Sequence, residues 1–173
     1  ISAKEMVEKF GVDGTRYLLL SVGGNFGEDA DVSWKKLTEK YNADLANGLG
    51  NLTSRVLKLA QNIKGGKGLN ISLDESIEKM ELSSALDIIW NIIRDDNKYI
   101  EDNKPWELAK NNLENFKVVI EKLLRDLNAI SDMLAPFLPE TSKKKKKALE
   151  TKEPVILFQR IKATFKVLKL KEN

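Results

Sequence analysis

An all-α fold, an antiparallel helix bundle with a short C-terminal extension, is what this 173-residue sequence predicts. Three observations lead there. Apolar residues recur at alternating steps of three and four along most of the chain, which is the spacing of one helix face. Serine–glutamate pairs, prolines and glycines fall where such helices should start and stop. No stretch of useful length alternates with the two-residue period of a strand. One segment, Val155-Ile156-Leu157-Phe158, stays open between an extended form and a buried helix turn.

Ser2 and Glu5 make a capping box that opens a helix to about residue 10. Gly11 stops it, and Asp13 is placed to cap a second apolar helix through Tyr17–Leu20. The glycines of residues 22–27 form a loop. Asp29 or Asp31 then opens a long helix to about Ile63, closed by Gly65, Gly66 and Gly68. Its inward stripe is Leu45, Leu49, Leu52, Val56, Leu59 and Ile63. Ser72 and Glu75 form a second capping box before a helix or helix pair to about Ile100. Pro105 suits the first position of another helical turn. The series Leu113, Phe116, Ile120, Leu123, Leu127, Ile130, Leu134 marks the next helix. Pro136 and Pro139 break the chain, and Pro139 starts a short helix to about Leu149.

Composition narrows the chemistry. Apolar residues are 42% and charged residues 32%, a globular balance, with no apolar run near the ~18 residues that cross a bilayer. There is no cysteine and no histidine, which excludes Cys–His and Ser–His–Asp catalysis, zinc–thiolate sites and histidine-ligated metals. The net charge of +3 is unevenly spread. Residues 143–173 carry 11 basic and 3 acidic groups, +8; residues 31–67 carry 7 and 3, +4; residues 68–142 sum to −7. RNA, if bound, should therefore meet residues 31–67 and the C-terminal tail. The first residue is not methionine and no signal peptide follows, so the chain reads as a piece cut at a domain boundary.

Several features carry a chemical and a structural reading side by side. Gly65-Gly66-Lys67-Gly68 ends a helix, the wrong polarity for a phosphate loop. Asp95-Asp96 with Glu101-Asp102 fits no calcium loop and reads as a solvated acidic face. Lys143–Lys147 is five like charges in a row, a solvated or frayed segment on sequence alone. Trp90 sits in an apolar helix and reads as core. Trp106 follows Pro105 among Asn103, Lys104, Glu107 and Lys110, where an indole can be a platform for an unpaired base or a cap on the bundle. At 100° per residue, Arg55 lies roughly 75° and Asn51 roughly 115° from the centre of the long helix's apolar stripe. Asn47 and Lys58 lie further toward solvent. An amide beside a forked guanidinium can read a base edge and hold a phosphate; equally, Arg55 can be salt-bridged to a neighbouring helix.

The segment Asn42-Ala43-Asp44-Leu45-Ala46-Asn47-Gly48-Leu49-Gly50-Asn51-Leu52-Thr53-Ser54-Arg55 closely resembles the anticodon-domain helix of methionyl-tRNA synthetases. Phe10-Gly11-Val12-Asp13-Gly14-Thr15-Arg16-Tyr17 is similar to the segment after the catalytic lysine loop of class I synthetases. Lys104-Pro105-Trp106-Glu107-Leu108-Ala109-Lys110, Ala135-Pro136-Phe137-Leu138-Pro139-Glu140-Thr141-Ser142 and Ile156-Leu157-Phe158-Gln159-Arg160-Ile161 match later family segments in order. The resemblance implies a helix bundle of the class I anticodon-binding type. It divides the chain into a connector (residues 1–30), the bundle (31–142) and a basic extension (143–173). It implies that Asn51, Arg55 and Trp106, with Asn47 and Lys58 beside them, engage the CAU anticodon of a methionine tRNA, the tryptophan by stacking. The implied partners are that tRNA and the catalytic domain of the same parent chain, with no membrane, in the cytoplasm. ATP, and the zinc knuckle that some members carry, belong to that catalytic domain, so no cofactor and no catalytic residue is expected here. The competing expectation is a helical protein-interaction module on the same scaffold. Where the family has an apolar residue after the Thr141-Ser142 match, this chain has only lysines.

Overall fold

The computed structural model describes residues 1–22, 33–61, 63 and 82–162. The expected glycine loop after Val22, the Gly65–Gly68 stop and the Ser72 capping box lie outside the described residues.

Among the described residues the chain is helical, with no strand. The elements are α1 (Ala3–Val22), α2 (Trp34–Lys40), a π-helical segment (Tyr41–Gly50), α3 (Asn51–Leu59), α4 (Leu82–Asn103), α5 (Pro105–Asn111), α6 (Leu113–Leu134) and α7 (Pro139–Thr151). The capping box at the start of α1 forms as expected: Glu5 Oε2 accepts from the Ser2 N–H at 2.8 Å, and Ser2 Oγ accepts from the Glu5 N–H at 3.3 Å. Gly11, at φ +72°, kinks α1 in a left-handed conformation that a side chain would strain.

α6 is the hub, packed against α3, α4, α5 and α7. Ile120, Leu123, Leu124, Leu127, Ile130 and Leu134 are all fully buried on it, each contributing about 1.5–3 kcal/mol by leaving water. Trp90 is core as expected, its ring 4.4 Å from that of Tyr17.

Five expectations are corrected. Asp13 does not cap the second half of α1. Its Oδ2 accepts the N–H and the hydroxyl of Thr141, at 2.6 and 2.7 Å, and so closes the N-terminus of α7 from across the fold. Leu138 stands at the α7 cap position and offers no side-chain acceptor, which is why the carboxylate comes from elsewhere. The long helix is described from Trp34, where Ser33 accepts from the Lys36 N–H, and α-helix ends at Leu59 rather than Ile63.

Its centre is also not α-helical. From Tyr41 to Gly50 the turn is widened to π spacing, and the Asn51 N–H reaches back to Ala46 O. The sequence explains this. A Cβ on Gly48 would lie 3.3 Å from Ala43 O, and one on Gly50 would lie 3.1 Å from Leu45 O, so the glycines admit the tucked carbonyls. The stripe survives, with Leu45, Leu49, Leu52 and Val56 fully buried.

The last two corrections concern charge. Asp96 does not belong to a solvated face: it is fully buried, paired with Lys122 Nζ at 2.5 Å, and Lys122 also holds Asp126 at 2.7 Å. Burial, opposed by Lys122, pushes the Asp96 carboxyl up to about 7, and its Oδ2 has no hydrogen-bond partner. Lys143–Lys147 is not frayed. It lies within α7, which runs across the expected boundary between residues 142 and 143. Lys145 is fully buried, donating from Nζ to Leu127 O and to Ser131 Oγ. Burial holds its ammonium well below the usual lysine range.

Candidate functional site

Of the residues singled out in sequence, Arg55 and Trp106 come together where α3 meets the α4–α5 corner, while Asn47 lies earlier, on the π-helical segment, and Lys58 later on α3. Asn51 and Arg55 stand one turn apart on α3, which is α-helical from Asn51 onward, so the side-by-side placement of residues four apart holds. Asn47, Asn51 and Lys58 are exposed; Arg55 is half-buried. Its guanidinium donates from Nη1 to Glu101 Oε1 at 2.7 Å and lies 5.6 Å from the centroid of the Trp106 ring. The structure therefore contains the salt bridge of the structural reading and the aromatic neighbour of the chemical one. Glu101 was missed in sequence because it sat among carboxylates that looked merely solvated.

Trp106 is presented by a strained corner. Lys104 connects α4 to α5 at φ 43° and ψ 61°, left-handed for a non-glycine residue, which costs about 1–2 kcal/mol. Pro105 then starts α5 as expected and is buried, while the indole after it remains 38% exposed. A large apolar ring left this open, with a guanidinium over it, is a surface suited to a planar π-system.

A strap flanks the other side of α3. Beyond α7 the segment 152–162 is neither helix nor strand and bends at Leu157–Phe158, so Val155–Phe158 is not a helix turn. Ser54 Oγ donates to Val155 O at 3.0 Å. Asn42 holds Ile161 from both directions at 2.8 Å, its amide nitrogen donating to the Ile161 carbonyl and its oxygen accepting the Ile161 N–H. The Phe158 ring stands edge-on to Tyr41, 5.9 Å away. Asn51 thus projects between a strap on one side and the Arg55–Trp106 pair on the other. Asn42 as an anchor was not anticipated, although it opens the helix segment that carried the family resemblance.

At this site an amide, a guanidinium and an exposed indole face solvent together with Lys58. They can pair with base edges, hold a phosphate and stack. Among the described residues no group of three or more carboxylates is placed to hold a metal ion.

Comparison with known proteins bears on what this surface meets. Residues 1–57 match the family model of class I tRNA synthetases (M), and residues 48–170 match that of the anticodon-binding domain of methionyl-tRNA ligase. A methionine–tRNA ligase of Fusobacterium nucleatum is 34% identical over 83% of this chain and 26% of its own. One from Clostridium acetobutylicum is 34% identical over 95% of this chain and 29% of its own. The chain thus spans between a quarter and a third of the length of these relatives. In fold it is similar to the free-state crystal structure of Mycobacterium tuberculosis methionyl-tRNA synthetase, with a TM-score of 0.75 and 23% identity over 95% of this chain and 42% of that one.

Proposed function

Because this chain belongs to the methionyl-tRNA ligase family and contains its anticodon-binding domain, we propose that the α3–α5 surface recognises the CAU anticodon of a methionine tRNA. Asn51 pairs with a base edge. Trp106 stacks on an unpaired base. Arg55, held by Glu101, supplies the charge between them, and Asn47 and Lys58 border the contact. The observation that carries the reading is the Arg55 guanidinium 5.6 Å from the centroid of an indole that is 38% exposed, one helical turn from Asn51.

In the parent enzyme, methionine is joined to tRNA at the expense of ATP, in the cytoplasm, by a catalytic domain to which residues 1–30 connect. The methionyl-adenylate in a second Mycobacterium tuberculosis structure belongs to that chemistry. The chain has no histidine and no cysteine to hold a zinc ion, and ATP is assigned to the catalytic domain. This region contributes binding and selection, which act as a difference in transition-state stabilisation between correct and incorrect tRNAs.

The competing reading, a helical protein-interaction module, draws on the −7 charge of residues 68–142. One experiment separates the two. Binding of a methionine tRNA should exceed that of the same tRNA with a changed anticodon; equal affinities, or no binding at all, would remove the anticodon reading.

A further inference from the structure

The lysine run is the one motif that the anticodon site leaves unexplained. On α7 it is held in a single register by three buried ties: Asp13 to Thr141, Ser142 Oγ to Ser131 O at 2.6 Å, and Lys145 to α6. With Lys145 turned inward, 100° per residue places Lys143 and Lys147 roughly 160° away, on the outermost line, and Lys144 and Lys146 on the two flanks. Lys146 is paired with Asp132 at 2.6 Å. Among the described residues Lys143, Lys144 and Lys147 have no ion-pair partner. Like charges three and four positions apart on a helix repel, so a fixed helix presents a concentrated positive face, bordered at its two ends by the exposed carboxylates Glu140 and Glu150.

Two open clefts border that face. One, of about 440 Å³, lies against the α6–α7 turn and includes Pro139, Lys143, Lys146, Lys147 and Glu150. The other, of about 200 Å³, includes Lys144, Lys147, Thr151, Glu153, Pro154 and Val155. Val155 is also the residue whose carbonyl accepts from Ser54, the neighbour of Arg55 on α3. The second cleft therefore ends on the strap that flanks the candidate anticodon site.

We propose that Lys143, Lys144 and Lys147, with the clefts beside them, form a track for the sugar–phosphate backbone of the RNA strand whose bases meet Asn51, Arg55 and Trp106; the inference rests on that site being an RNA site. Lysine suits the task. It is a mobile point charge that meets phosphates without demanding a base, and such contacts position a strand without reading it.

The test is the triple variant Lys143→Gln/Lys144→Gln/Lys147→Gln in the 173-residue chain, titrated with a methionine tRNA and with its anticodon-changed form at several salt concentrations. The three side chains are exposed, so circular dichroism and melting temperature should match those of the unmodified chain. The slope of log K against log salt should become shallower by about 2, since each phosphate contact to a single strand contributes ~0.7. Affinity should drop by the same factor for both tRNAs. An unchanged slope and affinity overturn the track, as does a loss confined to one anticodon. If the unmodified chain binds both tRNAs equally and the variant still flattens the slope, the anticodon reading falls and the lysine track stands. If the variant keeps its discrimination and its slope, the track falls and the anticodon reading stands. No binding by the unmodified chain overturns both.

Discussion

Asp13 and Thr141, 128 residues apart, share a carboxylate oxygen that accepts both the backbone N–H and the hydroxyl of the threonine. Three residues further along α1, Arg16 donates from Nε to Phe137 O at 2.8 Å and from Nη2 to Pro136 O at 3.2 Å. One stretch of α1 thus holds the turn before α7 by its carbonyls and the start of α7 by its N–H group. This clamp joins the segment that precedes the bundle to the helix that carries the lysines.

Removing the clamp's acid should loosen α7 first. Asp13→Ala leaves a buried N–H and a buried hydroxyl without an acceptor, which costs about 1–3 kcal/mol. Asp13→Asn keeps an oxygen and should cost less. Thermal denaturation of both variants reads the difference; equal and negligible losses would mean that the double hydrogen bond contributes nothing.

At the candidate site, Trp106→Ala should weaken tRNA binding by about 1–3 kcal/mol, the usual range for losing one stacked base. It should leave the melting temperature nearly unchanged, because the indole is 38% exposed. Asn51→Ala should mainly narrow the gap between CAU and a changed anticodon. A sharp fall in melting temperature with unaltered relative affinities would make Trp106 a packing residue.

Stability should also respond to pH through Asp96. Its folded carboxyl sits at about 7 rather than 3.8, because burial raises it more than Lys122 lowers it. Between those values the folded chain holds a proton that the unfolded chain releases, so this group's contribution to stability falls as pH rises. Lys145 acts the other way at higher pH. Its folded value is depressed, so its contribution recovers as pH climbs toward 10.5. The melting temperature of Asp96→Asn, compared with the unmodified chain from about pH 4 to 8, should lack the acidic-side slope. Parallel curves would show that Asp96 does not titrate as its burial implies.

Gly14 tests the packing between α1 and the π-helical segment. A Cβ there would lie 2.9 Å from Tyr41 Cε2 and 3.3 Å from Phe10 Cβ. Tyr41 is itself packed against Phe10 and Phe158 and has little room to yield. Gly14→Ala should destabilise by about 1–3 kcal/mol through overpacking, measurable by denaturant titration. An unchanged midpoint would mean the Tyr41 ring moves freely.

The helices, the Ser2–Glu5 cap, the Pro105 start, the buried Trp90 and the open positions of Asn51 and Trp106 were legible in the sequence. Each depends on residues within about four positions of one another, so local spacing and capping chemistry suffice. Tertiary structure alone decided which partner Asp13 found, why Asp96 and Lys145 are buried, and how Arg55 came to lie between Glu101 and Trp106. A run of lysines looks solvated in every register until a neighbouring helix offers a carbonyl and a hydroxyl at the end of one stem. A carboxylate likewise looks like a local cap until a distant helix arrives with an unfilled N-terminus. The π turn escaped because its glycines admit the tucked carbonyls but are equally compatible with an ordinary α-helix. Polar partnerships over long sequence distances are settled by packing, because an unpaired buried group costs more than any local preference can return.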